Sequence, residues 1–239
     1  MGFQNGWRGP DIVSDGLVLY LDAGSPNSYR PDFGTTWKDM SGFNNSGSLV
    51  NGPTYSSANG GSIVFDGVDD AVICPNNDTT NITGSSITLE GWVNPSNVSS
   101  YKQIFARASG IGDTQRQYGL YVMGPTGGGA INSLGFEIRT NIAKIDLGYG
   151  LLVPNTWQHT AGVYNGSNMI WYINGIQVGL VAQTGNITTQ VSSLYVGQFS
   201  FGGFSTFNGN ISSTKMYNRA LSSTEVLQNY NAQKSRFGL

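Results

Sequence analysis

Apolar and polar residues alternate along most of this chain. Leu17, Leu19 and Leu21 share one face of a first run, and Ile63 and Phe65 share one face of another, which is the two-residue period of a strand buried on one side. Further strand-like runs follow at 87–93, 101–107, 118–123, 134–138, 157–164, 169–173, 176–181, 194–196 and 211–217, each bounded by Gly, Asn, Ser or Pro. Short strands at such regular intervals predict an all-β sandwich or barrel. Asn165-Gly166 and Asn174-Gly175 separate three of these runs. Asn-Gly tolerates the two positive φ angles of a type I′ turn, so 157–183 reads as a three-stranded meander. One helix is predicted, opening at Ser222. Its hydroxyl can cap the first turn while Glu225 reaches back, and Val226, Leu227 and Tyr230 offer an apolar face to the edge of the sheets.

Composition narrows the function classes. The 239 residues suit one sandwich domain (15–239) behind a short N-terminal arm (1–14). Only 11% of residues are charged, the net charge is −2 and no basic run occurs, so a phosphate backbone finds no electrostatic footprint and nucleic acid is not an expected ligand. The longest unbroken apolar run, 17–21, is far short of a membrane span. Cys74 is the sole cysteine. With no intrachain disulfide, and no charged and apolar leader pattern in the opening residues, the expectation is synthesis in a reducing cytoplasm.

The residues offer little catalytic chemistry. Glycan-cleaving enzymes flank the scissile bond with two carboxylates. The glutamates here are Glu90, Glu137 and Glu225; the last is assigned to the helix cap, and the others stand in separate strands without an acidic residue two positions away. An aspartate brought close in space could still partner either. His159, the one histidine, has no recognisable nucleophile partner and reads as a hydrogen-bonded structural residue. Cys74 reads as a small buried hydrophobe. No enzymatic activity is expected. For calcium, the loops Asp39-Met40-Ser41-Gly42-Phe43-Asn44-Asn45 and Asp66-Gly67-Val68-Asp69-Asp70 supply oxygen ligands, although both compositions suit ordinary Asx-turns equally well. Trp37, Trp92, Trp157 and Trp171 are expected in the core. Phe3 and Trp7, ahead of the first strand, are apolar enough to dock on a partner. Tyr118, Tyr121, Phe201 and Phe204 are the expected sugar-stacking aromatics.

Several ordered motifs carry a family resemblance. Asp15-Gly16-Leu17-Val18-Leu19-Tyr20-Leu21-Asp22-Ala23, Thr36-Trp37-Lys38-Asp39-Met40-Ser41-Gly42, Ile63-Val64-Phe65-Asp66-Gly67-Val68-Asp69-Asp70, Trp171-Tyr172-Ile173-Asn174-Gly175 and Tyr217-Asn218-Arg219-Ala220-Leu221-Ser222 resemble the laminin-G-like, concanavalin A-like jelly-roll family. The resemblance runs from about Asp15 to Tyr230. It implies a two-sheet antiparallel jelly-roll sandwich with one short C-terminal helix, often with a structural calcium for which Asp39 is the best candidate ligand, and often with glycan or protein binding. One departure stands out. After Phe-x-Gly-x-Ile the family commonly carries an acid, whereas this chain has Ser212 and Ser213 after Phe207-Asn208-Gly209-Asn210-Ile211.

Residues 12–23 and 229–237 further resemble the two ends of relatives in tailed-bacteriophage structural proteins. That likeness implies a non-enzymatic virion component, such as a capsid decoration or tail or fibre protein. It would be present in multiple copies, held to other virion proteins through its arm and able to contact surface glycans. A carbohydrate-binding adhesion module is the alternative, and a glycoside hydrolase or lyase the third.

Overall fold

The computed structural model describes residues 10–110, 115–124, 130–199 and 205–239. In chain order the first eight strands are β1 (Leu17–Asp22), β2 (Thr36–Trp37), β3 (Gly47–Val50), β4 (Thr54–Ser56), β5 (Ser62–Asp66), β6 (Ala71–Cys74), β7 (Ile87–Pro95) and β8 (Lys102–Ala108). The next eight are β9 (Arg116–Val122), β10 (Ser133–Arg139), β11 (Lys144–Leu151), β12 (Gln158–Tyr164), β13 (Asn168–Ile173), β14 (Ile176–Ala182), β15 (Leu194–Val196) and β16 (Asn208–Tyr217). Helix α1 (Ser223–Gln233) follows, with a short 3-10 turn at Lys234–Phe237.

The strands form two sheets with antiparallel pairings throughout. The first runs β14-β13-β12-β7-β16-β5-β4 with β1 added on β16; the second runs β11-β10-β9-β8-β15-β6-β3-β2. They pack face to face as the expected jelly-roll sandwich. Inward residues of both sheets, among them Leu19, Phe65, Leu89, Phe105, Leu120, Phe136 and Trp171, make one continuous apolar core.

β16 organises the first sheet. It pairs with β7 along one side, while along the other Asn208–Ile211 pair with β5 and the following residues pair with β1. The register slips between Ile211 and Ser213, leaving Ser212 as a bulge where the partner changes.

The outer face of the first sheet is covered as well. Val13, Leu17, Ala161, Val163, Tyr172, Tyr217 and Leu221 cluster with Val226 of α1, and Trp92, Trp157 and Phe237 pack with Tyr230. The helix therefore lies on a sheet face and not at its edge. Val13, assigned to the arm from sequence, already belongs to this layer. The helix opens as expected: Ser222 and Glu225 form a reciprocal capping box.

Under the helix lies a buried polar network. Asn229 accepts from the backbone N–H of Val13 (2.8 Å) and donates to Glu90 (2.9 Å) and to the Tyr217 hydroxyl (2.9 Å). Buried Lys215 donates to Gln233 (2.6 Å) and lies 4.0 Å from Glu90; burial lowers its pKa. His159 is buried, but its imidazole is not hydrogen-bonded as expected. Neither ring nitrogen has such a partner among the described residues; the ring instead tilts against Trp92 and Tyr230, with Nε2 3.7 Å from Glu90. All four core tryptophans are buried, as is Cys74, whose thiol burial pushes up to about 12.

Two local readings are corrected. Asn174 and Gly175 both take positive φ, as a type I′ turn requires. Asn165 does not, and only Gly166 is left-handed there; the Asn165 side chain accepts from the backbone N–H groups of Ser167 and Asn168 and builds an Asx-type turn. Strand β11 alternates well, with Ile145, Leu147 and Tyr149 packed on the core. It escapes sequence reading because Gly148 and Gly150 resemble turn residues.

The hydrogen-bonded Arg219 guanidinium, with help from Ser222, holds the Glu225 carboxyl down to about 2. A depressed carboxylate pKa stabilises the fold fully above the free-glutamate range near ~4.3 and loses that contribution as pH falls toward about 2. The urea midpoint of the wild type should therefore fall over this interval by more than that of Glu225→Gln, whose midpoint at neutral pH starts lower.

Candidate functional site: the outer face of the second sheet

Sheet alternation sends Tyr118, Leu120 and Val122 of β9 into the core and Gly119 and Tyr121 to the outer face. On β10 the outward set is Ser133, Gly135 and Glu137; on β11 it is Asp146 and Gly148, with Glu137 directly opposite Asp146 and Gly135 opposite Gly148. The bulge between Arg107 and Ala108 sets Arg116 on the same outer face.

The adjoining glycines keep this surface low. A Cβ on Gly135 would fall 2.2 Å from the Tyr121 ring, so that ring lies directly across the glycine. Tyr101 leans on Tyr121 with centroids 5.6 Å apart. Gln103 is held nearby, donating to the carbonyls of Phe105 (2.9 Å) and Leu120 (3.0 Å).

These residues wall a shallow cleft lined by Tyr101, Gln103, Arg116, Tyr121, Glu137, Phe199 and Ser205, with about 20 Å³ of room inside it. That is space for about one water, so a sugar ring would lie across the mouth of the cleft and not within it. Its floor is charged, and alternation from Glu137 puts Arg139 on the same face, opposite Lys144. Arg116 bridges Glu137 (2.9 Å) and Asp146 (3.5 Å), Lys144 joins Asp146 (3.5 Å), and the Arg116 guanidinium sits 4.7 Å from the Phe199 ring centre. The Tyr121 hydroxyl is buried at the cleft and has no hydrogen-bond partner among the described residues. A buried phenol usually finds one, so this cleft holds an unspent polar group.

The residues singled out from sequence separate. Tyr121 lines the cleft. Tyr118 does not: it is 1% exposed, and its hydroxyl donates to the Thr80 carbonyl inside the sandwich, because three positions along a strand reverse the face. Phe201 and Phe204, and Phe3 and Trp7, lie outside the described residues. Sequence reading missed Tyr101, Gln103, Arg116, Phe199 and Ser205. It left open an aspartate partner for Glu137, and the fold supplies Asp146 opposite it, with a guanidinium between the two. The available signal was Gly119, Gly135 and Gly148, glycines at outward positions of consecutive strands.

The oxygen-rich loops carry internal hydrogen bonds. Asp39 Oδ1 accepts from the N–H groups of Tyr20 and Ser41, and Oδ2 accepts from the Ser41 hydroxyl and the Asn45 N–H. Its carboxylate ties β1 to the loop that follows β2. Carboxylate oxygens of Asp66, Asp69 and Asp70 approach within 4.8 Å of one another. Asp66 accepts from the Val68 N–H and Asp70 from the Asp66 N–H, the bonding of an acidic turn. Burial and the neighbouring acids raise the Asp70 pKa.

Comparison with known proteins fits this geometry. A family described as the concanavalin A-like lectin/glucanases superfamily matches residues 66–227. No curated protein matches. Among solved structures, the binding domain of Paraclostridial Mosquitocidal Protein 1 is similar at 16% identity and a TM-score of 0.69, over 92% of this chain and 52% of that one. Domain 4 of AbnA, an extracellular arabinanase from Geobacillus stearothermophilus in complex with arabinotriose, aligns at 16% identity and a TM-score of 0.65, over 90% of this chain and 98% of that one. The binding domain of Botulinum Neurotoxin DC in complex with SialylT aligns at 15% identity and a TM-score of 0.67, over 92% and 52%. This chain thus spans about half the length of the toxin binding domains it resembles.

Because the Tyr121 ring fills the space above Gly135, Gly135→Val should overpack the sheet face. A loss of roughly 1–3 kcal/mol is expected, read as a lower urea midpoint with a changed near-ultraviolet signal from the displaced tyrosine.

Proposed function

We propose, since this chain belongs to the concanavalin A-like lectin/glucanase superfamily, that it is a non-catalytic glycan-binding module whose site is the cleft on the outer face of its second sheet. The observation that carries this reading is the buried Tyr121 hydroxyl, unpartnered among the described residues, set beside the half-buried Tyr101 ring and the polar groups of Gln103, Glu137 and Ser205. A sugar presents an apolar ring face and a fan of hydroxyls, which an aromatic wall and convergent donors and acceptors match. Arg116, Glu137 and Asp146 are engaged with one another, so a neutral sugar is the ligand proposed. Two of the similar structures carry glycan ligands, arabinotriose in one and SialylT in the other, which supports a sugar as the ligand class.

The Glu137–Asp146 pair does not serve hydrolysis in this reading. Its guanidinium bridge commits both carboxylates to an ion-pair network, and an acid and a base flanking a scissile bond must instead be free to exchange protons with it.

A finer proposal places the module on a tailed-bacteriophage particle, made in the host cytoplasm and attached in multiple copies to capsid or tail proteins through Phe3 and Trp7. It is supported by the resemblance of residues 12–23 and 229–237 to such relatives.

Titration with neutral arabino- and gluco-oligosaccharides beside sialylated probes should give saturable binding to a neutral sugar. Tyr121→Phe should weaken it by about 2–10-fold, the worth of one hydrogen bond, without changing the unfolding free energy from urea titration by more than about 1 kcal/mol. Absence of binding across the panel would remove the reading. So would release of reducing ends that disappears in Glu137→Gln. For the particle proposal, deletion of residues 1–10 should abolish attachment while leaving the thermal unfolding of the domain intact.

A further inference from the structure

The family that this chain resembles often holds a structural calcium and commonly carries an acid directly after Phe-x-Gly-x-Ile, which here is the position of Ser212. That position is the bulge where β16 exchanges β5 for β1, and three backbone segments converge there. The end of β1 contributes Asp22, the turn before β5 contributes Gly61, and the chain terminus contributes Arg236.

The contacts leave no room for a metal. Arg236 Nη1 donates to both Asp22 oxygens (2.9 and 3.0 Å), and Nη2 donates to the Ser212 hydroxyl (2.9 Å) and toward the Gly61 carbonyl (3.5 Å). Ser212 in turn donates its hydroxyl hydrogen bond to the Gly61 carbonyl (2.7 Å). Asp22 also accepts from the Tyr20 hydroxyl, the Gly24 N–H and Gln233. Calcium needs six to eight oxygens, commonly with more than one carboxylate. This junction offers one carboxylate, already neutralised by a guanidinium, and a hydroxyl where an acid would stand. The donor set does not fit calcium.

The backbone is shaped for the guanidinium. A Cβ on Gly24 would lie 1.8 Å from Arg236 Nη2, and one on Gly60 would lie 3.2 Å from Nε; glycine at both places opens the channel along which the side chain enters. Asp22 is 4% exposed, so without Arg236 it would be a buried charge lacking its countercharge.

We propose that Arg236 is a built-in cation that replaces a structural metal at the junction of β1, β5 and β16, making closure of the sandwich independent of calcium and dependent on the C-terminal turn. The planar guanidinium reaches the carboxylate through Nη1 and Ser212 through Nη2, directional bonds that a spherical ion would replace by coordination number.

Three measurements on the full chain test this. Calorimetric titration of the wild type with calcium, and thermal unfolding in calcium against EGTA, should show neither stoichiometric binding at this junction nor a shift in Tm. A calcium-dependent Tm that Ser212→Ala abolishes would overturn the proposal. Arg236→Met should lower the folded-to-unfolded ratio by about 100-fold or more, with Arg236→Lys intermediate because it keeps the charge without the fork; wild-type stability in both variants would overturn it. The double variant Ser212→Asp with Arg236→Gly should acquire a Tm that rises with calcium and falls with EGTA. If it folds and remains indifferent to calcium, the junction is not the position of a replaced metal.

Discussion

One strand serving three partners is the constraint on which this architecture rests. β16 must pair with β7 along its length, with β5 in its first half and with β1 in its second. A regular strand cannot change partner without leaving unpaired backbone groups where one neighbour stops and the next begins. The bulge at Ser212 solves this: its carbonyl accepts from the Ala23 N–H (2.8 Å), and its side chain turns into the junction to meet Gly61 and Arg236. The C-terminal turn therefore acts as a seam across the place where three strand ends meet.

From that seam follows the asymmetry of the two sheets. Carrying Arg236 to Asp22 draws α1 over the outer face of the first sheet, where Val226, Tyr230 and Phe237 cover apolar side chains and Asn229 and Gln233 satisfy buried polar ones. Helix docking thus combines apolar burial with an aligned polar network, and a partly satisfied network of this depth is costly. Among the described residues no helix lies on the outer face of the second sheet. It presents glycines, two tyrosines and a charge cluster there, and the cleft lies on that side.

The cleft and the seam treat polar groups in opposite ways. At the seam every Asp22 oxygen is engaged and a positive charge is locked against it, which gives a rigid closure. At the cleft a phenol is left buried without a partner among the described residues, a cost that a ligand hydroxyl can repay. The same distinction separates Asp39, whose oxygens are consumed by its own loop, from a side chain held ready for another molecule.

The sequence by itself determined the strand periodicity, the sandwich class, the Ser222–Glu225 capping box and the burial of the tryptophans, because each depends on neighbours a few residues away. It also held the parity that separates Tyr118 from Tyr121, since an odd spacing along a strand reverses the face. Strands β2, β3 and β4 were too short and polar to register, and β11 was masked by its glycines. What only tertiary structure decided is which strands lie side by side. Arg116, Glu137 and Asp146 come from three strands whose order in the sheet sets their ion pairs, and Asp22 meets Arg236 across most of the chain length. Such pairings are governed by long-range register and partner exchange, which local periodicity does not encode.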